Sequence, residues 1–485
     1  MEGRTQPELA GRRVLVVGLG VSGRAAAQAL RRRGAEVVTL DRRGEGADHA
    51  DASTLDLGSI DLVVASPGFP PSTPVLVEAL GRGLAVWSEV ELAWQLRVDR
   101  AAGGGPAPWL VLTGTNGKTT TVGMLEQILT AAGERGPAVG NVGPPVVEAA
   151  TDPSLDVLAV ELSSFQLHFT HSVAAQASAV LNIAPDHLDW HGSFEEYAAA
   201  KGRIYERTEV ACVYPVDSPR VEALVREADV AQGARAVGLT LGAPMPGQLG
   251  VIDDLLVDRV FHAAPEDPAR SRSAAELATM ADLAHLAGRG ASLPAHIVMD
   301  ALAAAALARA HGVAASAVRD GLRAYRPGAH RIEHVRTLDG VAYVDDSKAT
   351  NAHAAAASLK AFEDGSVVWI AGGLAKGARF DELVVDCVDR LRAVVVIGVD
   401  AAPWDEALGR HAPSIPVVRV DPTDTGTVMS RAVQSARRLS RRGGTVLLAP
   451  ASASMDQFDS YAHRGEAFAE AVHALVGVDA EPVTD

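Results

Sequence analysis

The residues best equipped for chemistry stand at 114–120, Gly-Thr-Asn-Gly-Lys-Thr-Thr. An apolar run, WLVL at 109–112, precedes them, and Val122, Leu125, Ile128 and Leu129 follow at helical spacing. Strand, glycine loop and helix in that order bring backbone amides round a phosphate at the positive end of a helix dipole. Gly114 and Gly117 let the chain turn and approach closely, with Thr115 and Asn116 between them. Lys118 supplies a point charge for the terminal phosphates, and of the hydroxyls of Thr119 and Thr120 the first is placed to hold Mg²⁺. The regular phosphate-loop pattern needs a further glycine where Leu112 stands. Lys-Thr after a glycine is a weak signal alone; framed by strand and helix it favours a nucleoside triphosphate over a plain glycine turn.

A second phosphate-type loop lies in 13–41, RVLVVGLGVSGRAAAQALRRRGAEVVTLD. Gly18, Gly20 and Gly23 take the dinucleotide-binding spacing, with Val21 and Ser22 inside the loop and Asp41 ending the next strand, placed to meet a ribose. Arg42 follows it. A nucleotide sugar offers the same diphosphate and ribose, so a nicotinamide cofactor is not required. A third strand, 61–65, ends in Ser66-Pro67-Gly68, either another ligand-facing loop or an ordinary turn.

Further polar groups sit where later strands end. Asn141 lies in GNVG, Glu161 leaves the strand 157–160 ahead of Leu-Ser163-Ser-Phe-Gln166, and Asp186-His187 follow the strand 179–183. A carboxylate beside a phosphate loop suits Mg²⁺, which takes oxygen ligands. A lone histidine at a strand end is more often an ordinary polar group, but three polar strand ends in one βαβ series point to a shared cleft. Lys201, in the helical FEEYAAAKGRIYE, reads equally as a solvated helix lysine. Composition bears on it: only Lys118, Lys201, Lys348, Lys360 and Lys376 are lysine, leaving 39 of the 44 basic side chains as arginine. Where arginine supplies the surface charge, a surviving lysine is a candidate for point-charge phosphate contact or amine chemistry. Lys360, in ASLKAFED, reads as leftover.

These loops need frames, and 485 residues predict about three domains. The linker-like AAGGGPAP at 101–108 marks the first boundary, giving domains at 1–104, 105–326 and 327–485. Residues 241–272, rich in Gly, Pro and Asp, read as a loop or short hairpin; helices at 295–311, closed by Gly312, and 313–325 complete the middle domain. Strands at about 341–345, 367–371, 393–397, 415–420 and 445–449 alternate with helical patterns in the third. It has no glycine-rich fingerprint, so it takes something other than a nucleotide by itself. Its polar strand ends, DDSKATN, GGLAK and PASASMDQF, are expected to share one face. The fold class is α/β: a Rossmann-like first domain, a phosphate-loop second and a Rossmann-like third.

The formal charge of −16, from 44 basic and 60 acidic side chains, argues against a duplex nucleic-acid partner. No apolar run approaches the roughly 20 residues that span a bilayer, and the first residues carry no signal-peptide core. Cys212 and Cys387 are too far apart in sequence to suggest a structural disulfide, which suits a reducing compartment. A cytoplasmic monomer without membrane contact is expected.

Taken together, GTNGKTT, GNVG, ELSSFQL, APDHLDWHG and the Tyr-x-x-x-Lys of YAAAKGRIYE resemble the Mur ligase family, over about 14–465. DDSKATN, ASASMDQF, GLGVSG and ASPG are similar to its D-glutamate-adding members. The resemblance implies ATP-dependent amide formation between UDP-N-acetylmuramoyl-L-alanine and D-glutamate through an acyl phosphate, in peptidoglycan precursor synthesis. It implies ATP at 114–120 with Arg331 and Asp346, and catalytic roles for Lys118, His187 and Lys201. Two Mg²⁺ are implied, held by Thr119, Glu161, His187 and a carbamylated Lys201. The UDP-substrate is implied at Gly18, Gly20, Val21, Ser22, Asp41, Arg42, Ser66, Pro67, Gly68, Asn141, Ser163 and Gln166. D-glutamate is implied at Thr350, Lys376, Ser454, Met455 and Tyr461. Two positions depart from the pattern: Asp300 stands where the family usually has Asn near adenine, and Leu374-Ala375 precede the pocket lysine. A nicotinamide dehydrogenase leaves the lysines unexplained, and a non-catalytic nucleotide switch needs no amino-acid pocket; a sister ligase or a folylpolyglutamate-synthetase-like ligase is the nearest competitor.

Overall fold

A computed structural model of the chain describes residues 8–42, 46–264, 266–287, 293–424 and 426–477, the side chain of Asp189 excepted. The outermost ends of the expected first and third domains, 1–7 and 478–485, lie outside the described residues. Three sheets organise it. The first comprises β1 (Arg13–Val17), β2 (Glu36–Leu40), β3 (Leu62–Ala65) and β4 (Val86–Ser88), all parallel in the order β2-β1-β3-β4. Its strands read RVLVV and LVVA because a parallel sheet covered on both faces wants apolar side chains on both.

The second sheet has nine strands: β5 (Trp109–Thr113), β6 (Ala138–Gly140), β7 (Leu158–Glu161), β8 (Ala177–Val180), β9 (Ala211–Pro215), β10 (Arg235–Leu239), β11 (Gln248–Ile252), β12 (Leu255–Asp258) and β13 (Ala275–Thr279). They run in the order β13-β12-β11-β10-β9-β8-β5-β7-β6. Five neighbouring pairs and the β10–β11 pair are parallel, while β11–β12 and β12–β13 are antiparallel. The hairpin β11–β12 sits inside the stretch read as loop or short hairpin.

Helix Lys118–Ala131 buries Val122, Leu125, Ile128 and Leu129, the apolar positions picked out by spacing. Helix Ala315–Ala324 begins two residues later than the sequence suggests. It crosses the phosphate-loop helix at Gly321, where a Cβ would lie 2.4 Å from the Cα of Ile128. The helical stretch at 194–206 divides into Phe194–Gly202 and a tighter turn, Arg203–Tyr205.

The third sheet, β14 (Glu333–Leu338), β15 (Val341–Asp345), β16 (Val367–Gly372), β17 (Leu391–Ile397), β18 (Val417–Arg419) and β19 (Thr445–Leu448), runs β14-β15-β19-β16-β17-β18. Only β14 is antiparallel. It is short of apolar alternation, EHVRTL, and periodicity missed it. The residues gather into two compact units, Met1–Asp282 with Met299–Tyr325, and Leu283–Val298 with Arg326–Asp485. The first unit holds the first two sheets, which share a continuous apolar core from Val14 and Leu30 through Leu92 and Leu96 to Trp109 and Val160.

Candidate functional site

In the second sheet, β8, β5, β7 and β6 are consecutive neighbours, and each carboxyl end delivers polar side chains. The glycine loop follows β5 and opens helix Lys118–Ala131 through Gly117, whose φ of 81° is left-handed. A side chain there would strike the Asp300 carboxylate, 2.4 Å from the position of a Cβ. The loop is tied to the end of β8 at several points. Thr115 N donates to Asn182 O (3.0 Å), Asn116 N to Asn182 Oδ1 (2.9 Å) and Asn182 Nδ2 back to Asn116 O (3.1 Å). The Thr115 hydroxyl meets that of Tyr197 at 2.9 Å. Asn182 was not singled out from sequence, although it stands two residues past the end of β8, where the ligand-loop rule had a signal to give; Tyr197 entered only as the tyrosine of the Tyr-x-x-x-Lys motif.

Two lysines converge on this loop. Lys118 Nζ donates to the carbonyls of Gly114 and Thr115, both at 2.9 Å. Lys201 Nζ donates to the same Gly114 carbonyl at 2.8 Å and to Thr113 Oγ1 at 3.3 Å. It lies 4.8 Å from the Tyr197 ring centre. Lys201 is not a solvated helix lysine: it is 2% exposed. Burial first, and the Lys118 ammonium second, hold its amine well below the usual lysine range, against the opposing pull of Asp186 and Glu161.

Glu161, at the end of β7, is fully buried. Its Oε1 accepts from Asn141 Nδ2 at 2.8 Å, and its Oε2 has no hydrogen-bond partner among the described residues. A buried carboxylate oxygen left unsatisfied beside a phosphate loop fits a divalent cation. Thr119, on the first turn of the loop helix, is half-buried. His187 has a left-handed φ of 52°, stacks edge-on to Phe165 at 4.8 Å and stands 3.7 Å from Asp186 Oδ2. Ser163 and Gln166 engage each other. The Ser163 hydroxyl accepts from Gln166 N at 3.2 Å, while Gln166 Oε1 accepts from Ser163 N at 2.9 Å, a capping box for helix Ser164–His168.

In the first sheet the strand ends of β2, β1 and β3 are also adjacent. Asp41 Oδ2 accepts from Leu19 N at 2.7 Å and so braces the glycine turn. The Ser66 hydroxyl donates to Gly18 O at 2.9 Å, and a Cβ on Gly23 would fall 1.8 Å from that oxygen. Gly20, Val21, Arg42 and Gly68 are exposed, Ser22 and Pro67 half-buried.

In the second unit the ends of β15, β19 and β16, again consecutive, carry the remaining candidates. Asp346 is buried, accepts from the Ser358 hydroxyl and from Ile332 N (3.3 Å), and is pushed up to about 6 by burial, with Arg331 pulling the other way. Thr350 lies two residues past Lys348, whose Nζ sits 3.7 Å over the Tyr461 ring. Lys376 is exposed with a left-handed φ of 50°, Ser454 is buried and Met455 is 72% exposed. Leu374 and Ala453 bridge the two loops, N to O in both directions at 2.9 and 3.1 Å. Nearby, His330, Glu333 and Asp345 bring donor atoms within 4.8 Å of one another. Their bonds are already made: His330 Nδ1 to Asp345 Oδ2 (2.7 Å) and His330 N to Glu333 Oε2 (2.8 Å).

A model of the Mur ligase middle domain matches residues 112–242, and one of the Mur ligase glutamate ligase domain matches 330–452. A UDP-N-acetylmuramoylalanine–D-glutamate ligase of Streptomyces avermitilis is 56% identical, over 96% of this chain and 98% of the relative. One of Thermobifida fusca is 52% identical over 97% and 100%. Among solved structures, the UDP-N-acetylmuramate–alanine ligase of Thermotoga maritima shares the fold with a TM-score of 0.55 at 17% identity, covering 95% of this chain and 99% of that one. The MurF of Acinetobacter baumannii does so at 0.56 and 15%, covering 96% and 91%. With more than half its residues shared along almost the whole length of such relatives, the chain belongs to the Mur ligase family.

Proposed function

We infer that this chain joins the amine of D-glutamate to the carboxylate of UDP-N-acetylmuramoyl-L-alanine, with conversion of ATP to ADP and phosphate, as a step of peptidoglycan precursor synthesis in the cytoplasm. The observation that carries the reading is the pair of lysines on one phosphate-loop carbonyl, one of them buried beside an unsatisfied carboxylate. Forming an amide from a carboxylate requires its oxygen to become a leaving group, which transfer of the γ-phosphoryl achieves by making an acyl phosphate. Lys118, freed from its loop carbonyls, is placed to stay with the transferred group. Mg²⁺, when bound, offsets the charge of two anions brought together. Glu161, Thr119 and His187 are proposed to hold it, with Lys201 as a carbamate for a second ion. A buried, neutral amine is the form that adds CO₂, and Lys201 has the burial that favours it.

The UDP moiety is assigned to the strand ends of the first sheet and to Asn141, Ser163 and Gln166; Ser163 and Gln166 must exchange part of their mutual cap for substrate. ATP contacts extend to Arg331 and Asp346, and D-glutamate goes to Thr350, Lys376, Ser454, Met455 and Tyr461. We place domain boundaries at 104/105 and 326/327, supported by one sheet in each part. Among the described residues no helix is long and apolar enough to cross a membrane, and Cys212 and Cys387 are both free and buried. The test is ADP release across combinations of UDP-sugars and amino acids. Turnover is expected only with UDP-N-acetylmuramoyl-L-alanine and D-glutamate together; faster turnover with another amino acid would move the chain to a sister activity.

A further inference from the structure

One buried charge of the second unit has no role in the foregoing. Arg464, on helix Tyr461–His473, has none of its surface exposed. Burial draws its guanidinium down to about 10, so it remains a cation at neutral pH, with the Asp456 and Asp345 carboxylates as its nearest counter-charges. Its donors are spent on loops. Nε donates to Ser347 Oγ (3.0 Å), Nη2 to Ser347 O (2.9 Å) and Nη1 to Ser452 O (3.0 Å). The Ser347 hydroxyl passes the link on, donating to Tyr461 O at 2.8 Å. A third loop meets the same group: at Gly373, with φ 126°, a Cβ would stand 3.2 Å from Arg464 Nη1 and 2.3 Å from Ala453 O. One planar fork therefore touches the loops that leave β15, β19 and β16, which are the loops bearing Thr350, Ser454 and Lys376.

The gripped loop is also unfinished. Ser452 Oγ, Asp456 Oδ1 and Gln457 Nε2 are buried and have no hydrogen-bond partner among the described residues. The far sides of two of these groups are anchored, since Gly398 N donates to Gln457 Oε1 (2.8 Å) and Val399 N to Asp456 Oδ2 (3.0 Å). Buried polar atoms left over in this way call for a ligand to complete them. A hydroxyl, a carboxylate oxygen and an amide NH₂ within six residues match in kind the carboxylates and ammonium of an amino acid.

We propose that Arg464 is the positioning residue of the amino-acid pocket, clamping three strand-end loops so that Ser454 and Lys376 are pre-organised for D-glutamate. The proposal rests on the assignment of D-glutamate to these loops. Lysine cannot substitute, because an ammonium keeps the charge but not the fork that reaches Ser347 and Ser452 at once. ADP release is measured for the wild type, Arg464→Lys and Ser347→Ala against D-glutamate, L-glutamate and ATP. Arg464→Lys is expected to raise KM for D-glutamate about tenfold or more, leave KM for ATP within about twofold and narrow the preference for D- over L-glutamate. Ser347→Ala, which removes the Nε contact and the hydroxyl's link to Tyr461 O but keeps the Nη1 and Nη2 contacts, shifts the same parameters by about threefold. A wild type indifferent to D-glutamate removes the pocket assignment itself. A wild type that responds, with an Arg464→Lys variant unchanged in KM or losing kcat alone, overturns the role of Arg464. Should Arg464→Lys not fold, Ser347→Ala decides by the same split.

Discussion

Lys201 is the residue on which the chemistry turns most sharply, because its two readings differ in the sign of charge. As a carbamate it offers an anionic oxygen to a metal; as an ammonium it offers a cation to phosphate. Its neighbourhood favours the first, since a second ammonium, that of Lys118, already donates to the carbonyl that Lys201 donates to. Replacement by Ala is expected to cost about 10²–10³-fold in kcat, the order seen when one electrostatic group of a site is removed. Acetate is expected to restore part of that activity, and Lys201→Arg to stay inactive. Steady-state assays with and without added carboxylate, in CO₂-depleted and bicarbonate-containing buffer, check this; an active Lys201→Arg enzyme would remove the carbamate.

Between elements, the contacts that hold the site are few and specific. Helix Ala315–Ala324 reaches the phosphate-loop helix through Gly321, and an added methyl there meets backbone, not a yielding side chain. Gly321→Ala is expected to destabilise by about 1–3 kcal/mol as the helices part, seen as a lower urea midpoint together with a raised KM for ATP. The first sheet meets the second through Glu89, at the start of helix Glu89–Leu96, whose Oε1 accepts from Val147 N at 2.6 Å. Burial, helped by the Glu148 charge, pushes its carboxyl up from 4.5 to about 7. A raised folded value means that the contribution is whole below about 4.5 and is lost as pH climbs through about 7. Glu89→Gln keeps the acceptor for Val147 N and removes the titration. Above pH 7 it is expected to be more stable than the wild type by up to about 3 kcal/mol, and to flatten stability against pH between those limits. Denaturation midpoints at pH 5 and 8 measure the difference.

For the molecule as a whole, three sheets each present consecutive strand ends, and D-glutamate is assigned to loops of the third alone, so damage there should be selective. Lys376→Ala removes a charge-assisted contact of about 1.5–3 kcal/mol, and KM for D-glutamate is expected to rise roughly ten- to a hundredfold with ATP nearly unaffected; initial-rate titrations of all three substrates decide it. The glycine loops, the apolar parallel strands and the five lysines were legible in sequence because each depends on local residue type. What stayed hidden depends on partners far along the chain. Asn182 and Tyr197 become loop tethers only once β8 and helix Phe194–Gly202 are folded against β5. Ser163 and Gln166 satisfy each other, and Asp41 braces a turn through Leu19 N, none of which spacing discloses. Edge strand β14 lacks the apolar signature of its neighbours. The scarcity of lysine has a practical side as well: the amines of this chain form a nearly background-free map of its working parts. Lys360 is ion-paired with Asp386 on the surface, and the other four lie at strand ends or against the phosphate loop. An acylating reagent therefore has, besides the α-amino group, few side chains to modify, and mass-spectrometric footprinting of Lys118, Lys348 and Lys376 reports the occupancy of the phosphate loop and of the third-sheet loops without a single mutation.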